Sequence, residues 1–142
     1  MPIAYQIDHT QRLVDARAHG LLTDEDVFHY QREVWGRPEV VGYNEIVDVS
    51  NVSGIETESV ERIRQLAELS AHMDPTSTLS KFAIVAPNPL YYDLGHLYQM
   101  YRELNAKSTK QVRVFEARED ALGWLDTAEE DKLPNKTDPG DT

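Results

Sequence analysis

Two short runs rich in apolar, branched residues, at positions 45–49 and 82–86, constrain the fold of this chain more than any other feature. Such runs are typical of strands that are covered on both faces of a sheet. A segment with apolar residues at helical spacing follows each run, over residues 57–73 and over residues 90–106. Strands that alternate with helices in this way predict parallel pairing, with the helices packed on the sheet.

The first part of the chain predicts a hairpin. Apolar and polar residues alternate over positions 3–8, and a second strand pattern covers positions 13–18. Thr23 precedes an acidic turn and predicts the start of one helix, and Asn88, followed by Pro89, predicts the start of another. A strand over 112–115 and a helix over 121–125 complete the pattern. The predicted fold is therefore α/β, in the order β-β-α-β-α-β-α-β-α, with a mixed sheet, an N-terminal hairpin and helices packed on the sheet.

Length and composition predict a single domain over residues 1–125 and an acidic tail over residues 126–142. The 142 residues include 25 acidic and 14 basic residues, which gives a net charge of −11, and no cysteine. Disulfides, thiol catalysis and thiolate metal sites are thereby excluded. The lack of clustered Lys and Arg argues against nucleic acid or an anionic membrane as a partner. With no transmembrane segment and no secretory signal in the sequence, we expect a cytoplasmic protein.

Seven stretches of the sequence carry a recognisable packing pattern. They read YQID at 5–8, RLV at 12–14, LLTDED at 21–26, VDVSNV at 47–52, AIVAP at 83–87, LYQM at 97–100, and VFEA at 114–117 running into ALGWL at 121–125. In these stretches the chain resembles the SpoIIAA-like group, which shares the STAS (anti-sigma-factor antagonist) fold and is related to the CRAL-TRIO lipid-transfer domain. The resemblance implies the STAS-like fold and a regulatory or protein-interaction role.

The same resemblance implies a phosphorylation site. STAS antagonists similar to this chain carry an Asp-Ser-Ser-Gly motif, whose first serine is phosphorylated to switch partners. The matching positions here read Glu56-Thr57-Glu58-Ser59, so Thr57 stands at the phosphorylated position. A helix N-terminus favours an anion. Threonine is also a common N-cap, and the two flanking glutamates would repel a phosphate, so a purely structural role for Thr57 is the alternative.

The sequence contains no catalytic motif. A nucleophile elbow, a phosphate-binding loop, a dinucleotide-binding turn and a zinc-protease helix are all absent from it. The five histidines are scattered, and no two have the i, i+4 spacing of a helical metal site. We therefore expect no enzyme activity, no cofactor and no metal.

Asp48 is the carboxylate that stands out in the predicted sheet. It lies near the predicted carboxyl end of a parallel strand, where open α/β sheets hold their ligands. An aspartate at such a place also caps the following turn through its side chain. Both interpretations of Asp48, as a ligand contact and as a turn cap, follow from its position.

The predicted helix over residues 90–104 is unusually rich in amphipathic aromatic residues. Its apolar residues spread over about half of the helix circumference, which is wider than one contact with a sheet requires. Neighbouring helices, a partner subunit or an apolar ligand could cover the remaining width. The candidate ligand or interface residues on this helix are Tyr91, Leu94, Tyr98, Met100 and Tyr101.

The sequence thus predicts a non-enzymatic module that binds a protein partner or forms a homodimer. The alternative is a small carrier or sensor of an apolar, lipid-like ligand, held between the helix over 90–104 and the sheet. That alternative requires a cavity of roughly 300 Å³ or more beside Tyr91, Leu94 and Tyr98.

Overall fold

The computed structural model describes residues 2–56 and 59–127, and these residues form five strands and four helices. The element order agrees with the predicted order. A short 3₁₀-helix, Pro38–Val40, that the sequence pattern did not predict lies between the first helix and the third strand. In chain order the elements are β1 (Ile3–Asp8), β2 (Leu13–Thr23), α1 (Asp24–Trp35), β3 (Asn44–Glu56), α2 (Val60–Met73), β4 (Ser80–Val85), α3 (Pro89–Glu103), β5 (Lys110–Phe115) and α4 (Arg118–Leu125).

The five strands form one mixed sheet in the order β1-β2-β3-β4-β5. β1 is antiparallel to β2, and the other neighbouring strands are parallel, as the sequence predicts. Helices α1, α2 and α3 pack on one face of the sheet, against residues such as Phe82 and Ile84. Helix α4 packs on the other face, against Ala83 and Val85. β4 is buried at every position because it has a strand on each side and helices on both faces.

Local capping residues set where two of the helices begin. The Thr23 hydroxyl accepts a hydrogen bond from the Asp26 amide at 3.2 Å, and the Asp26 carboxylate accepts one from the Thr23 amide at 3.0 Å. Asn88 caps α3 in a similar way, with Pro89 at the first helical position. Both helix starts are therefore confirmed, and they lie at the edge of the sheet formed by the carboxyl ends of the parallel strands.

The third strand is longer than its apolar pattern indicates. The pattern predicts a strand over residues 45–49, whereas β3 continues to Glu56. Its second half pairs with an equally extended β2, past a register shift at Gly20, which has a φ of +72°. The pairing of β3 with β4 stops at Asp48, so the remaining residues of β3 are covered less and show no apolar run. The prediction that the strand ends near Asp48 is therefore wrong, and Asp48 lies within β3.

Asp48 helps to hold α4 against the sheet. The Arg118 guanidinium, at the start of α4, lies 2.5 Å from Asp15 Oδ2 and 3.3 Å from Asp48 Oδ2. The other carboxylate oxygen of Asp48 accepts hydrogen bonds from the amide and the hydroxyl of Ser50. One arginine thus joins β2, β3 and α4, and Asp48 also makes the local side-chain bond expected of a turn cap.

We expect the Arg118→Ala variant to be less stable than the wild type by about 1–3 kcal/mol, because two partly buried carboxylates lose a charged donor. Urea unfolding followed by circular dichroism measures the difference. Arg64→Ala is the matched control, since Arg64 pairs with Glu61 and Glu68 on the exposed side of α2 and such surface pairs contribute little. Equal unfolding midpoints for the two variants would contradict the role assigned to Arg118.

Candidate functional site

An apolar cavity of about 170 Å³ lies between the sheet and the three helices α1, α2 and α3. Strands and helices contribute to its wall in similar numbers, and most of the side chains are hydrocarbon. The strand residues include Leu22, Val47, Val49, Phe82 and Ile84, and the helix residues include Val27, Phe28, Ile63, Leu66, Tyr91 and Leu94.

The burial of the central strand reflects this cavity. Ile46 points toward α4 and is fully buried, whereas the next residue, Val47, points toward the other helices and is only half-buried. β3 has a strand on each side, so a solid helical layer would bury Val47 as well. We infer that the packing above Val47 is incomplete because the cavity lies there.

A close contact between α3 and the sheet bounds the cavity on one side. Gly95 is buried, and a Cβ atom at this position would lie 3.2 Å from a methyl carbon of Val114. The absence of a side chain therefore lets the middle of α3 approach β5 closely. Tyr91 and Tyr98, one turn away on either side, reach the cavity wall.

The partly exposed end of the cavity lies where the helices begin. Asp24 and Arg62 line it, and Arg62 Nε donates a hydrogen bond to Asp24 Oδ2 at 3.1 Å. The Arg62 guanidinium also lies 4.3 Å from the ring centre of Phe28. The first turn of α1 also carries Glu25 and Asp26, which do not line the cavity but leave more negative than positive charge near this end of it.

The floor of the cavity is polar, and Glu45 in this floor belongs to a buried ion pair. The carboxylate of Glu45, which is 3% exposed, lies 3.1 Å from Lys110 Nζ. It also accepts hydrogen bonds from the Tyr30 hydroxyl at 2.7 Å and from Trp35 Nε1 at 3.0 Å. The charge of Glu45 is therefore fully paired, although it lies in the interior.

A second buried ion pair lies next to the first. Arg102 donates hydrogen bonds to the Tyr98 hydroxyl at 2.6 Å and to Asp74 Oδ2 at 2.5 Å. The same Asp74 oxygen accepts a bond from the backbone amide of Thr109. These contacts join α3 to the segment that follows α2 and to the start of β5.

The two ion pairs and the side chains bonded to them form a polar layer, which consists of Tyr30, Trp35, Glu45, Asp74, Tyr98, Arg102 and Lys110. Burial changes the acidity of several of these groups. Burial, reinforced by the nearby Glu45 carboxylate, raises the pKa of Tyr30 well above its ordinary value. Burial also raises the pKa of Tyr98. It lowers the pKa of Lys110, and Glu45 opposes that change. Both tyrosines therefore keep their protons at neutral pH.

The structure brings together some of the predicted site residues and separates others. Tyr91, Leu94 and Tyr98 line the cavity. Tyr101 is half-buried against the same core, and Met100 is 44% exposed on the outer side of α3. Asp48 lies on the opposite face of the sheet, with Arg118. Thr57 lies outside the described residues.

The sequence pattern did not predict the polar layer. The signal for Glu45 was a charged residue inside an otherwise apolar run, but Lys110 and Arg102 have no distinguishing pattern.

Every charged residue that lines the cavity among residues 2–56 and 59–127 has a hydrogen-bond or ion-pair partner.

The described part of the chain contains neither a metal-binding cluster nor a helix that could cross a membrane. No cluster of three or more His, Asp or Glu side chains is placed to hold a metal ion in residues 2–56 and 59–127. Over the same residues, none of the helices has the length and the apolar character that crossing a bilayer requires.

The Tyr30→Phe variant tests the polar layer. At neutral pH we expect a loss of about 1–3 kcal/mol in unfolding free energy, because buried Glu45 loses a donor. The raised pKa of Tyr30 means that the folded state keeps a proton that the unfolded chain releases near pH 10. The stability that Tyr30 contributes is thus complete below about pH 10 and is lost as the pH rises further.

Urea unfolding of both proteins between pH 7 and pH 11 measures this effect. Above pH 10 the stability advantage of the wild type should shrink by up to about 1.4 kcal/mol per pH unit. Tyr5→Phe, which removes a hydroxyl that donates to Glu33 and accepts from Arg37, is the control for loss of a phenol outside the polar layer. A difference between wild type and Tyr30→Phe that stays constant over this range would show that Tyr30 does not have the raised pKa.

Comparison with known proteins supports the predicted fold. No protein-family model and no curated protein matches the chain. Among solved structures it is similar to an uncharacterized protein from the DUF3478 family with a SpoIIAA-like fold, from Shewanella loihica PV-4. The match covers 87% of this chain and 93% of that chain, with 20% sequence identity and a TM-score of 0.55. At this identity the similarity concerns the fold alone, and the chain therefore has a SpoIIAA-like α/β fold.

Proposed function

We propose that this chain is a non-enzymatic binding protein that carries or senses a small apolar molecule in the cavity beneath α3. The observation that carries the proposal is the cavity itself, about 170 Å³ in volume and lined mainly by hydrocarbon. A cavity of about 150 Å³ with a similar lining binds benzene or xenon in another protein.

The volume limits the size of the ligand. A cavity of about 170 Å³ is smaller than the roughly 300 Å³ expected of a lipid-sized pocket. The condition set for a carrier of a lipid-like ligand is therefore not met in volume, although the cavity lies beside Tyr91, Leu94 and Tyr98. A single aromatic ring or a short branched hydrocarbon fits this space, whereas a whole lipid chain exceeds it.

The polar groups around the cavity limit the chemistry of the ligand. At the floor, Tyr30, Glu45 and Tyr98 already have hydrogen-bond partners, so a ligand gains most there from apolar contact. At the open end, Asp24 and its acidic neighbours outnumber Arg62, which disfavours an anionic ligand. The ligand class that fits is neutral or cationic, with an apolar body.

Benzene is a suitable first probe. At about 25 cal/mol per Å², burial of a six-carbon ring gives about 4 kcal/mol, or a dissociation constant on the order of 1 mM. In an NMR titration we expect the shift changes to concentrate on residues that line the cavity, Ile63 and Leu66 among them. Shift changes spread over the surface, or none at millimolar benzene, would contradict the proposal.

The Val47→Phe variant should lose this binding, because the new ring points from β3 into the cavity and fills it. Val60→Phe is the matched control, since Val60 is 52% exposed at the start of α2 and does not line the cavity. Benzene titrations of both variants, after circular dichroism has verified folding, make the comparison. Equal benzene affinities would place the binding site elsewhere.

A second candidate function, self-association through α3, is favoured by the outer side of that helix. Leu90 is 62% exposed and Leu104 is 75% exposed, and Met100 lies between them along the helix. Leu90 and Leu97 on α3, and Leu104 at its C-cap, are spaced seven residues apart and follow one side of the helix. An exposed apolar stripe of this kind is typical of a contact between subunits.

If α3 forms a dimer interface, Leu104→Glu should give a monomer at protein concentrations where the wild type is a dimer. A charge inside an apolar contact is costly to bury. Sedimentation velocity at about 50 µM reports the two states. Leu122→Glu, on α4 across the sheet, is the control and should leave the association unchanged. A monomeric wild type would remove this candidate.

A further inference from the structure

A second, smaller cavity of about 70 Å³ lies at the opposite edge of the sheet, near the amino ends of β3, β4 and β5. The two ion pairs of the polar layer contribute Glu45, Lys110, Asp74 and Arg102 to its wall, and β4 contributes Ser80. Its lining is therefore charged and hydroxyl-bearing, in contrast to the hydrocarbon of the larger cavity.

Ser80 places a buried hydroxyl group in this cavity. It is 1% exposed, and its hydroxyl oxygen has no hydrogen-bond partner among the described residues. Strand alternation places Ser80 on the same face as Phe82, and its neighbour across the ladder is Lys110. A buried hydroxyl that hydrogen-bonds to nothing is costly, so this position calls for a partner.

Neighbouring groups have hydrogen-bonding capacity left over. Lys110 Nζ has three N–H groups, of which one points to Glu45 and the ammonium also lies over the Trp35 ring. Asp74 accepts its hydrogen bonds through Oδ2, which leaves Oδ1 for a further donor. The residues with this spare capacity, Lys110 and Asp74, line the same cavity as Ser80.

We propose that this cavity is a hydration site, in which ordered water bridges Ser80, Lys110 and Asp74. The charges of two carboxylates and two cations in the cavity wall cancel, so the site favours a neutral ligand. Because the wall offers both donors and an acceptor, the ligand should both donate and accept hydrogen bonds. Water is such a ligand, and the cavity volume of about 70 Å³ exceeds the roughly 10–15 Å³ that one water molecule requires.

The position of this site gives the water a structural role. Glu45 and Gln31 line both cavities, so one layer of side chains separates the apolar cavity from the hydrated one. Water on the polar side solvates the two ion pairs and reduces the cost of burying four charges. The apolar side then remains available for hydrocarbon. The hydration site does not depend on the proposed ligand function, and its test leaves the larger cavity unchanged.

Two serine variants distinguish a hydrated hydroxyl from an unpartnered one. Ser70 is equally buried and donates directly to Gln31 Oε1 at 3.0 Å, so Ser70→Ala measures the loss of an ordinary buried hydrogen bond. If water bonds Ser80, Ser80→Ala should lower the folding equilibrium constant about fivefold, as Ser70→Ala does. If Ser80→Ala is as stable as the wild type or more stable, the hydroxyl had no partner and the proposal is overturned.

A measurement on the wild-type protein completes the test. Long-lived internal water gives NMR cross-peaks between the water resonance and nearby protons, and we expect them at the Ser80 β protons. The methyl groups of Ile63 and Leu66, in the wall of the apolar cavity, are the control and should show none. Lack of water cross-peaks at Ser80 would overturn the hydration site even if both serine variants fold poorly.

Discussion

The buried ion pair between Glu45 and Lys110 is the interaction on which the rest of this structure depends. It joins the central strand β3 to the edge strand β5, and Tyr30 and Trp35 connect it to α1. An unpaired charge at either position would be costly in the interior, so the three elements must come together for either charge to be buried. The pair thereby positions the polar layer that forms the floor of the apolar cavity.

The two faces of the sheet differ in how completely the helices cover them. On one face, α4 closes over Ala83 and Val85, and Arg118 holds it in place through two carboxylates. On the other face, three helices cover the sheet incompletely and leave the apolar cavity over Val47. The cavity therefore lies on one face of the sheet only, and α4 covers the other face.

Much of the fold could be predicted because its signals are local. The alternation of strand and helix patterns, the capping residues Thr23 and Asn88, and the wide apolar arc of α3 all lie within single elements. The second half of β3 could not be predicted, since residues 50–56 pair with β2 without an apolar pattern of their own. The predicted strand end near Asp48 was wrong because the strand continues past this residue. The contact of Asp48 with Arg118 could not be predicted either, because the two residues are seventy positions apart.

The sequence by itself determined the order of the elements, the starts of α1 and α3, and the presence of Tyr91, Leu94 and Tyr98 on the broad apolar side of one helix. Tertiary structure alone decided the volume of the cavity and the pairing of Glu45 with Lys110, which are 65 positions apart. The physical reason is the sequence distance over which each interaction acts. Capping and periodicity act over a few residues, whereas a cavity and a buried ion pair depend on how distant side chains fill the same space.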